Sequence, residues 1–256
     1  MTLSKKQALT ALVITYNEEH NIKAVLDHLA FADEIIVVDS FSSDSTFEIA
    51  SSFKNVKVAQ RIFDDFASQR NYALSLATNS WILFIDADER LTPDLKEEII
   101  KTINSDTDVS AYLFYRKFFF KRKVLRFSGW QTDRIFRLFK KDKARYTYKR
   151  LVHEKLDVEG KIGFLKHKLI HYSYSDYGSY KNKMVTYGRL KAKEKFLSGF
   201  KPTVVYEYGH PIYNFLYQYL IRLGVLDGRK GVIICYLNAL SVKVRYQELN
   251  KLYNKK

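Results

Sequence analysis

Trp81-Ile82-Leu83-Phe84-Ile85-Asp86-Ala87-Asp88-Glu89 runs five apolar residues straight into two aspartates one residue apart. A short apolar run of this length reads as a strand buried on both faces, the kind a helix-covered parallel sheet contains. The carboxylates then emerge where the chain leaves the sheet, and a spacing of two puts them on the same side of an extended segment. Such a pair suits a hard divalent cation that keeps open positions for phosphate oxygens. An isolated Asp-x-Asp is more often a turn with two solvated acids, so the residues around it decide the reading.

Outward from this stretch, the first half alternates strand-like and helix-like patterns. Ala8–Ile14, Glu34–Val38 and Val56–Ala59 read as strands. Asn21–Ala30, Ser45–Phe53, Phe66–Ala77 and Thr92–Ile103 read as helices, the last with Thr92 as cap and Pro93 in its first turn. This alternation predicts an α/β fold with a mostly parallel sheet covered on both faces. The chain holds 10 glycines and the first is Gly129. That excludes a dinucleotide fingerprint or a P-loop in the first half, because both need glycine where backbone approaches phosphate. Phosphate binding there must come by other means, and a carboxylate-held metal is the usual one.

Ligands of open parallel sheets sit beyond the carboxyl ends of the strands. The first strand ends in Thr15-Tyr16-Asn17-Glu18-Glu19, and the second in Asp39 followed by Ser40, Ser42, Ser43, Asp44, Ser45 and Thr46. With Asp86-Ala87-Asp88-Glu89 they predict one edge rich in carboxylates and hydroxyls. Asn17 and Asp44 each also suit a plain helix cap.

Four segments together resemble family 2 glycosyltransferases and their GT-A fold: Val13–Glu19, Val37-Val38-Asp39-Ser40 with Asp44 and Thr46, Gln69-Arg70-Asn71, and Phe84–Glu89. Downstream, Arg134–Phe139, Val152-His153-Glu154 and Leu226–Gly231 look like the branch containing lipopolysaccharide core β-glucosyltransferases. The family's second-strand loop commonly has a glycine before the serine; this chain has Ser42-Ser43, a departure that bears on the loop's shape. The resemblance implies that Thr15, Asn17 and Glu18 line the nucleotide base, that Asp39 binds base or ribose, and that Arg70 lies near the nucleotide. It implies Asp86 on the ribose or metal-bound water and Asp88 on an Mg2+ or Mn2+ ion at the diphosphate of a UDP-sugar. Inverting transfer also needs a base for the acceptor hydroxyl. Residues 116–155 hold 15 Lys+Arg and three acids, Asp133, Asp142 and Glu154; Glu154 is the first candidate and Asp133 the second. Arg134, Arg137 and His153 are candidates for steadying the diphosphate or the base.

Charge divides the chain. Residues 1–110 carry 10 Lys+Arg against 18 Asp+Glu, and the remainder 33 against 10. The composition, 46% apolar and 28% charged, is that of a globular protein. One cysteine, Cys235, excludes a disulfide framework and a clustered-thiol metal site. No secretory signal and no apolar run of about 20 residues is evident, which predicts a cytoplasmic protein that is not integral to the membrane; a lipid-carried acceptor and the basic, aromatic tail would make it peripheral at the inner face of the membrane. Residues 1–175 are expected to form the catalytic domain, with a nucleotide-sugar half to about 110 and an acceptor half from about 111. Residues 176–256 are expected to form a helical extension: Tyr177–Leu197, Pro211–Leu223 and Lys230–Leu252 have helical patterns. Their apolar faces would meet the catalytic domain, another subunit, or lipid, where a lipid-linked or lipopolysaccharide-type glycan acceptor would be held. Basic and aromatic content also suits a nucleic-acid binder, but no such motif occurs and the best-formed pocket lies in the acidic half, so no nucleic-acid partner is expected. A nucleotide-sugar-binding relative without turnover is the other alternative.

Overall fold

The computed structural model describes residues 6–120, 123–147, 155–174 and 176–254. The chain forms two compact units. The first comprises Met1–Arg116, Arg134–Lys149 and Glu154–His171; the second comprises Lys117–Asp133, Arg150–His153 and Tyr172–Lys256.

The first unit follows the alternation in the sequence: β1 (Leu9–Thr15), α1 (Glu19–Leu29), β2 (Glu34–Asp39), α2 (Thr46–Ser51), β3 (Val56–Gln60), α3 (Phe66–Leu76), β4 (Trp81–Phe84), β5 (Glu89–Arg90) and α4 (Pro93–Asn104). Strands β3, β2, β1 and β4 lie side by side in that order, all parallel. Every residue of β2 and β4 is buried, as expected for strands covered on both faces. On one face Leu9, Ala11 and Val13 pack with Ile22, Val25 and Leu26 of α1 and Leu95 and Ile99 of α4. On the other, Leu12, Ile36 and Phe84 pack with Ala67, Ala73 and Leu74 of α3. Each large side chain so buried contributes about 1.5–3 kcal/mol of transfer free energy.

Local chemistry sets the helix ends. Thr92 Oγ1 accepts from Leu95 N–H at 3.2 Å to start α4, with Pro93 in the first turn. Asp65 accepts from Ser68 N–H at 2.8 Å to start α3. The α2 helix is shorter than its pattern suggests: Ser52 turns its hydroxyl onto the Ile49 carbonyl at 2.7 Å, offering the backbone a local alternative to further helix.

After α4 the pairing turns mostly antiparallel. The long β6 (Val109–Phe120) begins in the first unit and ends in the second, where its last residues pair with β7 (Lys123–Leu125). Strand β8 (Arg134–Lys140) lies antiparallel between β4 and β6. Strands β9 (Ala144–Thr147) and β10 (Lys155–Val158) form a separate two-stranded ribbon. Strand β11 (Lys161–Phe164) runs parallel to β6, and β12 (Leu169–Tyr174) pairs Ile170 and His171 with Arg90 and Glu89 of β5. A parallel sheet continued by antiparallel strands and flanked by helices is the GT-A arrangement expected from the sequence.

The second unit contains α5 (Tyr177–Leu197), α6 (His210–Leu216) and α7 (Arg229–Asn254). Single π turns, Val205–Gly209 and Tyr217–Ile221, flank α6. The first ends two residues before Pro211, which has no N–H to continue the helical ladder. The backbones of α5 and α7 come close: a Cβ on Gly188 would lie 2.7 Å from the Ser241 carbonyl oxygen. Gly224, just before α7, is tighter still, because a Cβ on Gly231 would lie 1.8 Å from its carbonyl oxygen.

Candidate nucleotide-sugar site

The carboxyl ends of β1 and β2 carry two loops that are laced together. Asn17 N–H donates to Ser42 Oγ at 2.9 Å, and Ser43 N–H donates to Asn17 Oδ1 at 2.8 Å. Glu18 N–H donates to Thr46 Oγ1 at 2.8 Å, and Glu19 N–H to Asp44 Oδ2 at 3.1 Å. Asp44 also accepts from Thr46 N–H at 3.0 Å, but the cap residue of α2 is Ser45, which makes no side-chain cap bond. With no glycine available, the left-handed backbone these loops require falls on Asn17 (φ 54°) and Phe41 (φ 58°). Asparagine tolerates that region well, whereas a phenylalanine there stores about 1–2 kcal/mol of strain. Ser42, which stands where the family commonly has the glycine, does not itself have a positive φ.

Asp39, fully buried at the end of β2, accepts from Ser42 N–H at 3.0 Å and Gln60 Nε2 at 3.1 Å. Thr15 ends β1, and its buried Oγ1 has no hydrogen-bond partner among the described residues. Such an orphan hydroxyl in a native protein calls for a ligand or solvent partner. Glu18 accepts from Asn21 Nδ2 at 2.7 Å.

The Asp86-Ala87-Asp88-Glu89 turn separates its carboxylates into two roles. Arg70 of α3 donates to Asp86 Oδ1 at 2.8 Å, and Arg137 of β8 donates to Asp86 Oδ2. Arg137, only 1% exposed, also donates to Glu89 Oε1 at 2.8 Å. Arg70 is stacked on Phe84, 4.5 Å from its ring centroid. Burial pushes the Asp86 carboxyl up, but Arg137 and then Arg70 outweigh it and hold the group far below the usual carboxylate range. For Arg137, burial opposes the charge, and Asp86 followed by Glu89 more than restores it. Asp86 is therefore a fixed anion between two guanidinium groups.

Asp88 instead meets His171, whose Nε2 lies 3.1 Å from Asp88 Oδ2. The other ring nitrogen, Nδ1, lies 3.4 Å from Arg116 Nη1, which also approaches Glu89 Oε1 at 3.6 Å. A guanidinium can only donate, so a neutral His171 accepts at Nδ1 and donates from Nε2 to Asp88. The two-residue β5–β12 pairing, which sets His171 opposite Glu89, holds this arrangement.

The structure thus brings Arg70, Asp86 and Arg137 into one cluster, and joins the loops of Thr15, Asn17, Glu18 and Asp39. Asp133 follows the turn Trp130–Thr132 and belongs to the second unit. Glu154 and His153 lie outside the described residues. Among the described residues no group of three or more His, Cys, Asp or Glu side chains is placed to hold a metal. Arg116 and His171 were missed in the sequence, because a lone arginine and histidine 55 residues apart have no spacing signal. A cleft of about 730 Å3 lined by Asn71, Lys141, Lys143, Arg145 and Asp157 lies elsewhere in this unit. It borders Lys141, whose N–H bonds Ser80 at the start of β4, the strand end opposite Asp86.

Residues 10–159 match the model of glycosyl transferase family 2. The chain belongs to this family. Among its relatives, a lipopolysaccharide core biosynthesis glycosyltransferase, LpsC of Rhizobium meliloti (strain 1021), is 26% identical over 94% of this chain and 94% of its own. An uncharacterized glycosyltransferase of Rickettsia bellii (strain RML369-C) is 30% identical over 98% of this chain and 88% of its own. Of solved structures, S. aureus TarS 1-349 aligns with 97% of this chain and 92% of that one, at 16% identity and a TM-score of 0.49. Glucosyl-3-phosphoglycerate synthase from Mycobacterium tuberculosis, solved with Mn2+ and UDP, aligns over 44% of each chain at 20% identity and a TM-score of 0.37. The glycosyltransferase has no helix among its described residues that is long and apolar enough to cross a membrane.

Proposed function

We propose that this glycosyltransferase is inverting and moves a hexose, glucose from UDP-glucose, onto a lipid-linked or lipopolysaccharide-core-type glycan at the inner membrane surface. The observation that carries the reading is the division of labour in the Asp86–Glu89 turn. Asp86 is committed to Arg70 and Arg137, whereas Asp88 faces an imidazole N–H that fixes its orientation. The uridine would sit on the laced loops, against Thr15, Asn17, Glu18 and Asp39.

An oxygen donor set with one oriented carboxylate fits Mg2+ or Mn2+ bound mainly through substrate phosphates. Asp88 would hold that ion, which when bound offsets charge on the departing diphosphate. His171 orients Asp88, and Arg116 sets the His171 tautomer. Arg137, buried against Asp86 and Glu89, works by fixing the turn and not by touching the diphosphate. Glu154 takes the proton from the acceptor hydroxyl as its oxygen attacks the anomeric carbon, with His153 at the diphosphate or beside the base; Asp133 is the second candidate base.

Calorimetric titration of UDP, with ADP and GDP as controls, tests the donor site. UDP binding should require Mn2+ or Mg2+ and should be lost in Asp88→Asn while the melting temperature stays within about 2 °C. Glu154→Gln should abolish transfer and leave UDP binding in place. Metal-independent UDP binding in the wild type, unchanged in Asp88→Asn, would overturn the reading.

A further inference from the structure

The segment from Val204 to Ile221, α6 with its two π turns, is inside out. Its polar side chains face the protein. Glu207 accepts from Asn250 Nδ2 at 2.6 Å, and His210 Nδ1 lies 2.8 Å from the Tyr246 hydroxyl. Gln218 donates to Asn214 Oδ1 at 3.0 Å and accepts from Asn238 Nδ2 at 2.6 Å; Asn238 in turn accepts from the Tyr180 hydroxyl at 2.6 Å. Pro211 is buried and Phe215 and Tyr219 are half-buried, but a row of apolar side chains faces away: Val204 is 74% exposed, Ile212 60% and Ile221 69%, and Leu216 and Leu220 are exposed beside them. A soluble helix has the reverse arrangement. A continuous apolar surface of this kind marks a contact site.

The chemistry around the segment identifies what covers it. From Tyr208 to Ile221 the chain has no Lys, Arg, Asp or Glu, and cations bracket the stretch at Lys201, Arg222, Arg229 and Lys230. The nearby acids are occupied: Glu207 by Asn250, and Asp227 by the N–H groups of Arg126 and Phe127. Residues 172–256 hold 15 Lys+Arg against five Asp+Glu. Tyr208, Tyr213 and Tyr217 stand exposed along the apolar row, and phenol side chains favour the depth where acyl chains meet headgroups. The hydrogen bonds to Tyr246, Asn250 and Asn238 fasten the segment lengthwise along α7, so it lies on a surface and does not cross it.

We infer that residues 204–221 form an interfacial anchor, entering an anionic lipid bilayer with the row Val204, Ile212, Leu216, Leu220 and Ile221. Arg222 is held by the Gly129 carbonyl and Thr132 Oγ1, so Lys201, Arg229 and Lys230 are the cations that meet the lipid phosphates. This inference rests on the membrane placement proposed above and gives it a specific surface.

The test is co-sedimentation of the full chain with vesicles of phosphatidylglycerol and phosphatidylcholine, against phosphatidylcholine alone, using wild type and Ile212→Asp/Leu220→Asp. Both substituted side chains are exposed, and an unchanged melting curve confirms that the variant folds. Wild type should bind the anionic vesicles, and the variant's partition coefficient should fall at least tenfold. Unchanged binding by the variant would overturn this anchor while leaving a membrane-bound enzyme intact. Failure of the wild type to bind either vesicle would overturn both. A wild-type dimer in sedimentation velocity that becomes monomeric in the variant, with vesicle binding unaltered, would assign the face to a second copy of the chain and also overturn the inference.

Discussion

Replacing Arg137 by methionine keeps most of the side-chain volume and removes the charge that Asp86 and Glu89 share. Asp86 would keep Arg70 at 2.8 Å, and Glu89 would keep Arg116 at the longer distance of 3.6 Å. Breaking a buried ion pair costs about 3–5 kcal/mol, and the surviving partners place this case near the lower end. With a urea m-value of ~2–3 kcal/mol per M, the denaturation midpoint at pH 7 should fall by about 1–1.5 M. The pH dependence is the sharper signature. Asp86 is depressed in the folded protein, so its stabilisation is complete above the unfolded pKa of about 3.9 and is lost as pH falls below it. Between pH 5 and pH 3 the unfolded chain takes up most of a proton here and the folded chain none, which costs about 1.2 kcal/mol. In Arg137→Met, Arg70 remains to oppose burial without Arg137 beside it, and that loss should shrink. Urea titrations followed by circular dichroism at pH 7, 5 and 3, with exposed Arg134→Met as control, give both quantities. A midpoint within 0.3 M of wild type, or an identical loss of stability from pH 5 to pH 3, would refute the account of the cluster.

Further outcomes follow from other buried polar groups and close contacts. Glu34 accepts from Thr10, Thr78 and Lys57, and although burial raises its carboxyl pKa, those partners bring it down to about 2. Glu34→Gln should therefore cost about 2–3 kcal/mol at pH 7 and progressively less as pH falls from about 4.5 toward 2, measured by chemical denaturation. Gly231→Ala should cost over ~3 kcal/mol or leave the chain insoluble, since its Cβ would fall 1.8 Å from the Gly224 carbonyl oxygen; thermal melting decides. Asp227→Ala strips acceptors from Arg126 N–H, Phe127 N–H and Ser128 Oγ, and should destabilise by about 2 kcal/mol while leaving UDP affinity unchanged.

The parallel half of the fold was legible because its signals are local. Apolar runs such as Trp81–Phe84 admit little but a buried strand, and Thr92-Pro93 announces a helix start. The β5–β12 pairing was not legible: two residues have no periodicity, and their partner is some 80 residues away. For the same reason Asp86 and Asp88 looked alike in the sequence, although one is enclosed by arginines and the other faces His171. In Pro211–Leu223 the apolar face was visible, but a helical period says only that two faces differ. Which one turns inward was decided by Asn238, Tyr246 and Asn250, whose hydrogen-bonding side chains no pattern in α6 could reveal. The shortened α2 reflects a single serine hydroxyl competing with the helix.

The lacing between the β1 and β2 loops has a consequence for how a ligand is received. Immobilising one residue's backbone costs about 1–2 kcal/mol, and a receptor that orders its loops only on contact forfeits that much affinity for each. Here Asn17, Glu18 and Glu19 are already tied to Ser42, Ser43, Thr46 and Asp44 by backbone amides. Those amides should exchange slowly with deuterium in the ligand-free protein, and a nucleotide would meet a floor whose shape is set before it arrives.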